Sequence, residues 1–369
     1  MLPFLSDTFS QSFTSDLLAC KRTLANGSRT FLAASHLLPT RVRHPAIALY
    51  AFCREADDAI DLSGGHPDNL KNLSKRLDKV YRGFPEETPT DRAFCKVVHE
   101  FRIPRALLDA LIEGFAWDAE LRRYETLSDV LSYATRVAGS VGTMMALLMG
   151  ERSHKMLERA CDLGIAMQLS NIARDVGEDA VAGRLYLPLT WMREVDLHPD
   201  QWLEAPQSSH ALKQIIERLL KAADTLYQRA TAGIAALPWD CRVGIFTACF
   251  LYREIGHQVR RNDHDSVSQR AVVPAYRKVR LAARAGAVSL RALFQSPINL
   301  TERVEEASFL INSVGPVFLA NKPIAWWNIA GRIAKVIDIF ERLEQEEWQA
   351  RQERFGPAKP LLSVSTVRA

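Results

Sequence analysis

Apolar residues recur three and four positions apart along most of the chain, and alternating runs bounded by turns are scarce. This period is that of helices with one buried face, so the pattern predicts an all-α fold. Helices are expected near 15–36, 41–62, 69–82, 89–101, 104–121, 126–149, 154–180, 208–236, 241–262, 275–294 and 323–352. Breakers fall between them: Ser63-Gly64-Gly65-His66-Pro67, the loop from Pro85 to Pro89, Gly183 to Pro188, and Ala205 to Ser209. No unit repeats at a solenoid period.

Two predicted helices break the amphipathic rule in the same way. In the first, Tyr50, Arg54, Asp57 and Asp61 stand at offsets 0, 4, 7 and 11. In the second, Gln168, Asn171, Asp175 and Asp179 stand at offsets 0, 3, 7 and 11. At about 100° per residue, eleven steps return to within about 20° of the start, so each set forms one polar stripe on an otherwise apolar helix. A solvent-facing stripe is the ordinary explanation. Such a stripe would carry Lys and Glu, whereas Tyr50 and Cys53 suit water poorly, and Gln168 and Asn171 need partners if buried.

Composition narrows the setting without choosing a chemistry. The 369 residues are 47% hydrophobic and 24% charged, enough for a sizeable core. A net charge of +4 gives no support for nucleic acid and fits an acidic small substrate or an anionic membrane surface. The six cysteines include no CxxC pair, which favours buried free thiols in a reduced, cytoplasmic compartment. Neither a signal peptide nor a run of about 18 apolar residues is evident; Val137 to Met149 is too short and is broken by Gly139 and Gly142.

Two pairs of carboxylates brought together repel unless a divalent cation lies between them. Carboxylates cannot hold a diphosphate directly, but Mg²⁺ or Mn²⁺ can bridge the two and neutralise charge on a departing diphosphate. Arg54 and Arg174, beside the acids, are suited to clamp phosphate oxygens. Loss of diphosphate from an allylic carbon leaves a cation that needs a dry pocket. The small residues of Arg136 to Met145 fit a pocket wall, and equally fit close helix packing through Gly139 and Gly142. No phosphate-binding glycine motif for ATP or NADPH, no zinc-type His/Cys set and no serine nucleophile elbow occurs.

At these residues the chain resembles the squalene/phytoene synthase family, and most closely its phytoene-forming bacterial members. The match is carried by Tyr50-x-x-Cys53-Arg54-x-x-Asp57-Asp58-x-x-Asp61, Arg136-Val137-Ala138-Gly139-x-Val141-Gly142, Gln168-x-x-Asn171-Ile172-x-Arg174-Asp175-x-x-Glu178-Asp179, and Gly183-Arg184-x-Tyr186-Leu187-Pro188. The resemblance implies a single isoprenoid-synthase-type helical bundle with a central substrate cavity over residues 15–295. Residues 296–369 are then an extension: an amphipathic helix, docked on the core or touching membrane, and a disordered end.

It further implies Mg²⁺-dependent head-to-head joining of two geranylgeranyl diphosphates through a cyclopropyl diphosphate, without NADPH or ATP. Asp57, Asp61, Asn171, Asp175 and Asp179 would hold the metal. Ser28, Arg29, Thr30, Arg54, Arg174 and Arg270 would contact diphosphate, and Tyr50, Tyr133, Gln168 and Tyr252 would orient substrate or intermediate. Gly27 stands where C30-forming relatives have His. Ser35 and Ile47, where those relatives carry aromatics, suggest room for C20 rather than C15 tails. Greasy substrate and product imply peripheral contact with the inner membrane surface and hand-over of product to a desaturase. A C30 synthase using farnesyl diphosphate and a non-catalytic helical assembly factor are the alternatives. Chain-elongating enzymes share Asp57-Asp58-x-x-Asp61 but have a second Asp-Asp pair that this chain lacks.

Overall fold

A computed structural model describes residues 6–27, 34–61, 67–292 and 302–315, and it is all helical among them. The long helices are α1 (Ser6–Gly27), α2 (Thr40–Asp61), α3 (Pro67–Tyr81), α4 (Pro89–Phe101), α5 (Arg105–Ala119) and α6 (Leu127–Ala134). They continue with α7 (Ser140–Leu148), α8 (His154–Val181), the short α9 (Leu189–Arg193) and α10 (Pro199–Glu204), then α11 (His210–Ala236), α12 (Trp239–Arg261), α13 (Ala275–Arg291) and α14 (Ser308–Ser313). The chain divides into two units, Met1–Pro316 and Val317–Ala369. The expected 323–352 helix and its membrane or core contact lie outside the described residues.

Helix ends follow local chemistry. Thr88 and Ser209 accept hydrogen bonds from backbone N–H groups three residues on, at 3.1 Å each, and Pro89 opens α4. Thr126 and Asp129 form a reciprocal capping box before α6. Gly183 adopts φ +73° just beyond α8, the left-handed conformation that ends a helix and favours glycine.

The first helix begins at Ser6 rather than near 15, because polar residues of the opening turns hide its period. The expected helix 126–149 is interrupted by a π-helical turn, Thr135–Gly139. One wide turn moves the following residues around the axis, which is why a single period does not describe the segment.

Helix α8 is the central post, packed by α7, α11, α12 and the π turn. Its buried residues, among them Leu157, Arg159, Asp162, Gly164, Ala166 and Ser170, cover about 240° of the helix, as a helix largely enclosed by others requires. Close approach needs glycine here: a Cβ on Gly142 would lie 2.3 Å from the Ala160 carbonyl oxygen, and one on Gly164 2.2 Å from that of Ala138. Residues 302–315 return to the bundle, with Leu310 and Ile311 buried and the Glu302 carbonyl accepting from Arg159 at 2.5 Å.

Candidate active site

A cavity of about 320 Å³ runs between α2, the π turn and α7, α8, α11 and α12. From α2 it takes Ala46, Leu49, Tyr50 and Cys53, and from α8 it takes Met156, Leu163, Met167, Gln168 and Asn171 among others. Both acidic helices therefore reach the same cavity through the turns that precede their aspartates. Asn171 and Met156 are fifteen residues apart on one helix, which at 1.5 Å per residue gives the cavity a length of about 22 Å. Val137, Ala138, Val141, Gly142 and Met145 form another wall. The small residues of this segment thus serve cavity wall and close helix packing together.

At the polar end, Tyr50, Gln168, Asn171 and Tyr252 line the cavity. Burial raises the Tyr50 and Tyr252 hydroxyls above their usual range, so both remain protonated donors at neutral pH. The Asn171 side-chain oxygen is buried without a hydrogen-bond partner. Cys53 is pushed up to about 12, chiefly by burial, and is therefore a neutral thiol.

The arginines stand on the acids. Arg54 pairs with Asp58 at 2.6 Å and Asp57 at 3.3 Å. Arg174 holds Asp175 through two nitrogens, one at 2.7 Å, and Arg270 reaches the same carboxylate at 3.1 Å from the segment after α12. Asp179 is raised to about 7, first by burial and next by the charge of Asp175. The Asp61 side chain lies outside the described residues, as do Ser28, Arg29 and Thr30. Among the described residues, no three His, Cys, Asp or Glu converge into a metal-holding group. Asn171 with its orphaned oxygen and Asp179, whose carboxyl stays raised despite the charge of Arg184, nonetheless have the chemistry that a hard divalent cation takes: oxygen donors whose burial is costly without a positive charge.

Tyr133 is placed differently from Tyr50 and Tyr252. It is buried in an aromatic group with Tyr124 and Tyr186, with ring centroids 5.3 and 5.0 Å away. Its hydroxyl donates to Asp118 at 2.8 Å, and the Tyr186 hydroxyl donates to the other oxygen of Asp118 at 2.6 Å. Asp118 also contributes to the raised Asp179. Sequence reasoning missed Asp118; the available signal was an acid next to Trp117, about 180° around the helix from the exposed Asp109. The expectation for Ile47 is corrected too. Ile47 is buried in the core at 2% exposure, and α2 presents Ala46 and Leu49 to the cavity instead. Ile47 lies about 160° around the helix from Leu49 and about 120° from Cys53, on the side away from most of the α2 residues that line the cavity.

The squalene/phytoene synthase family model matches residues 24–277. The chain belongs to the squalene/phytoene synthase family. Its relatives include the phytoene synthase of Rhodobacter capsulatus, 50% identical over 77% of this chain and 84% of that protein. The phytoene synthase of Cereibacter sphaeroides is 43% identical over 93% of this chain and 98% of its own. Among solved structures, a ligand-bound dehydrosqualene synthase superposes with a TM-score of 0.71 at 33% identity, covering 76% of this chain and 99% of that one. As a family member the protein is an enzyme, a prenyltransferase.

Proposed function

We propose that the protein is a phytoene synthase, joining two geranylgeranyl diphosphates head to head through prephytoene diphosphate and releasing diphosphate. The observation that carries this reading is the shared cavity: both acidic helices open onto one long, apolar space. Family membership and relatives named phytoene synthase support it.

In this reading Asp57, Asp61, Asn171, Asp175 and Asp179 hold Mg²⁺ or Mn²⁺, which when bound neutralises the diphosphate charge and promotes its departure. Arg54, Arg174 and Arg270, paired with the acids, would be the cations available to phosphate oxygens beside the metal-holding carboxylates. Ser28, Arg29 and Thr30 supply further diphosphate contacts. The apolar walls exclude water from the allylic cation, and the tyrosine faces and Gln168 dipole steady it. Tyr50 and Tyr252 act from the cavity wall, and Tyr133 acts from the Asp118 pair.

The catalytic unit spans residues 15–295, with 296–369 as an extension. Lipophilic substrate and product place the enzyme at the inner membrane surface, where product passes to a desaturase. Among the described residues no helix is long and apolar enough to cross a membrane.

Incubating purified protein with geranylgeranyl diphosphate and Mg²⁺ should yield the C40 hydrocarbon and released diphosphate. Asp57→Ala and Asp175→Ala should each abolish the release. Equal or better turnover of farnesyl diphosphate would reject the C20 assignment in favour of a C30 synthase.

A further inference from the structure

Helix α13 has two apolar faces. The inward one, with Ala285 and Ser289 buried, packs on α12. The outward one carries Tyr276, Val279, Ala283, Ala287 and Leu290, all exposed and spaced by three or four residues. Tyr276 is 59% exposed, Val279 70% and Leu290 63%. Single exposed apolar residues are ordinary on any surface, but a continuous stripe at the helical period is not.

The charge beside that stripe has one sign. Between Asp265 and Glu302 the sequence holds no acidic residue and six basic ones: Arg270, Arg277, Lys278, Arg280, Arg284 and Arg291. On the helix, Arg280, Arg284 and Arg291 fall along one flank of the stripe, within about 100° of Tyr276. Arg277 is tied to Glu254 at 2.8 Å, and Arg284 lies 5.0 Å from the Phe250 ring, so these two fasten the helix to α12. Lys278, Arg280 and Arg291 are exposed and have no carboxylate partner among the described residues.

We propose that the outward face of Ala275–Arg291 is a docking surface for an anionic lipid bilayer. An apolar stripe edged by arginines is the pattern of a helix lying in the plane of a membrane interface, where the stripe enters the acyl boundary and the cations meet headgroup phosphates. A protein partner would be expected to offer carboxylates to specific arginines; a lipid surface needs only uniform negative charge, and the run from Ser266 to Thr301 is uniformly non-acidic. Arg270, five residues before the helix, holds Asp175, so the docked helix begins beside the acid cluster that receives the prenyl diphosphate. The proposal rests on the prenyl-transfer reading for its purpose, though not for its chemistry.

The test is flotation of the full chain with phosphatidylcholine vesicles, with and without phosphatidylglycerol. Two variants are compared: Val279→Asp/Leu290→Asp and Arg280→Glu/Arg291→Glu. Diphosphate release from detergent-dispersed substrate is measured in parallel. The wild type should float with anionic vesicles and less so as salt rises, and each variant should lose at least about tenfold in partitioning while keeping its detergent activity. Wild-type flotation by both variants would overturn the proposal, as would failure of the wild type to bind anionic vesicles. A dimer that Val279→Asp/Leu290→Asp splits without changing vesicle binding would assign the stripe to a second copy instead. Absence of diphosphate release in the wild type would count against the prenyl-transfer reading alone, leaving the vesicle result to stand or fall separately.

Discussion

Asp179 lies one turn beyond Asp175 on the same helix, and its carboxyl is held at about 7 by burial and by the charge of that neighbour. An ordinary aspartate titrates near about 3.9, so the folded protein binds a proton more tightly than the unfolded chain. Folding is therefore weakened as pH rises from about 4 through about 7, and the full penalty applies above that. In chelator, Asp179→Asn should be more stable than the wild type by roughly 1–3 kcal/mol at about pH 8, with the advantage largely gone at about pH 4. Added Mg²⁺ should stabilise the wild type and not the variant. Thermal unfolding at the two pH values checks this; an advantage independent of pH would show that Asp179 is not strained by its charge.

Removing Asp118 should cost activity beyond any loss of fold. Its two oxygens accept from Tyr133 at 2.8 Å and Tyr186 at 2.6 Å. Asp118→Ala leaves two buried hydroxyls without their acceptor and lets the Tyr133 ring turn. A fall in kcat of at least about tenfold is expected at saturating substrate, less than the ~10²–10⁴ that a positioned acid–base group contributes, because Tyr133 itself is retained. Asp118→Asn, which retains one carbonyl acceptor, should recover part of it. Full kcat in a folded Asp118→Ala protein would remove Tyr133 from the reaction.

The contact of Gly164 with Ala138 predicts a sharp contrast between two glycines. A methyl group on Gly164 would meet backbone atoms at 2.2 and 2.6 Å, and backbone in a packed bundle yields little. Gly164→Ala should destabilise by at least about 2 kcal/mol in urea denaturation. Gly286 has nothing within 4 Å of the same position. Gly286→Ala should stabilise by roughly 0.5–1 kcal/mol through restriction of the unfolded chain.

Much of the bundle was legible because its helix boundaries are written in local chemistry. Thr88 before Pro89, Ser209 before α11 and Gly183 after α8 stop or start helices whatever surrounds them. The acid stripes were legible for the same reason, since offsets of 7 and 11 fix a helix face without tertiary information. The π turn at Thr135–Gly139 was not, because a turn of altered pitch follows from how Gly142 and Gly164 seat against neighbouring backbone. Asp118 was hidden because, on a helix that also carries Asp109 and Glu113, it is indistinguishable from a solvated acid until Tyr133 and Tyr186 are brought to it from 15 and 68 residues away. Ile47 was misplaced by transferring a position without its face.

That displacement moves the determinants of chain length from Ile47 to residues along α8. Leu163 lines the cavity eight residues before Asn171, about 12 Å along the helix axis and midway to Met156. Leu163→Trp should therefore block the far half of the cavity while leaving the acid clusters and Asn171 in place. One methylene in a hydrophobic pocket is worth about 1–3 kcal/mol, so excluding even part of a five-carbon unit should raise the ratio of kcat/KM for farnesyl over geranylgeranyl diphosphate by at least about tenfold. Ile47→Trp should instead overpack the core, lowering stability by roughly 1–3 kcal/mol with a smaller change in that ratio. Competition between the two substrates, read by product mass, separates the cases. An unchanged ratio in a folded Leu163→Trp protein would mean that the prenyl tail does not run along α8.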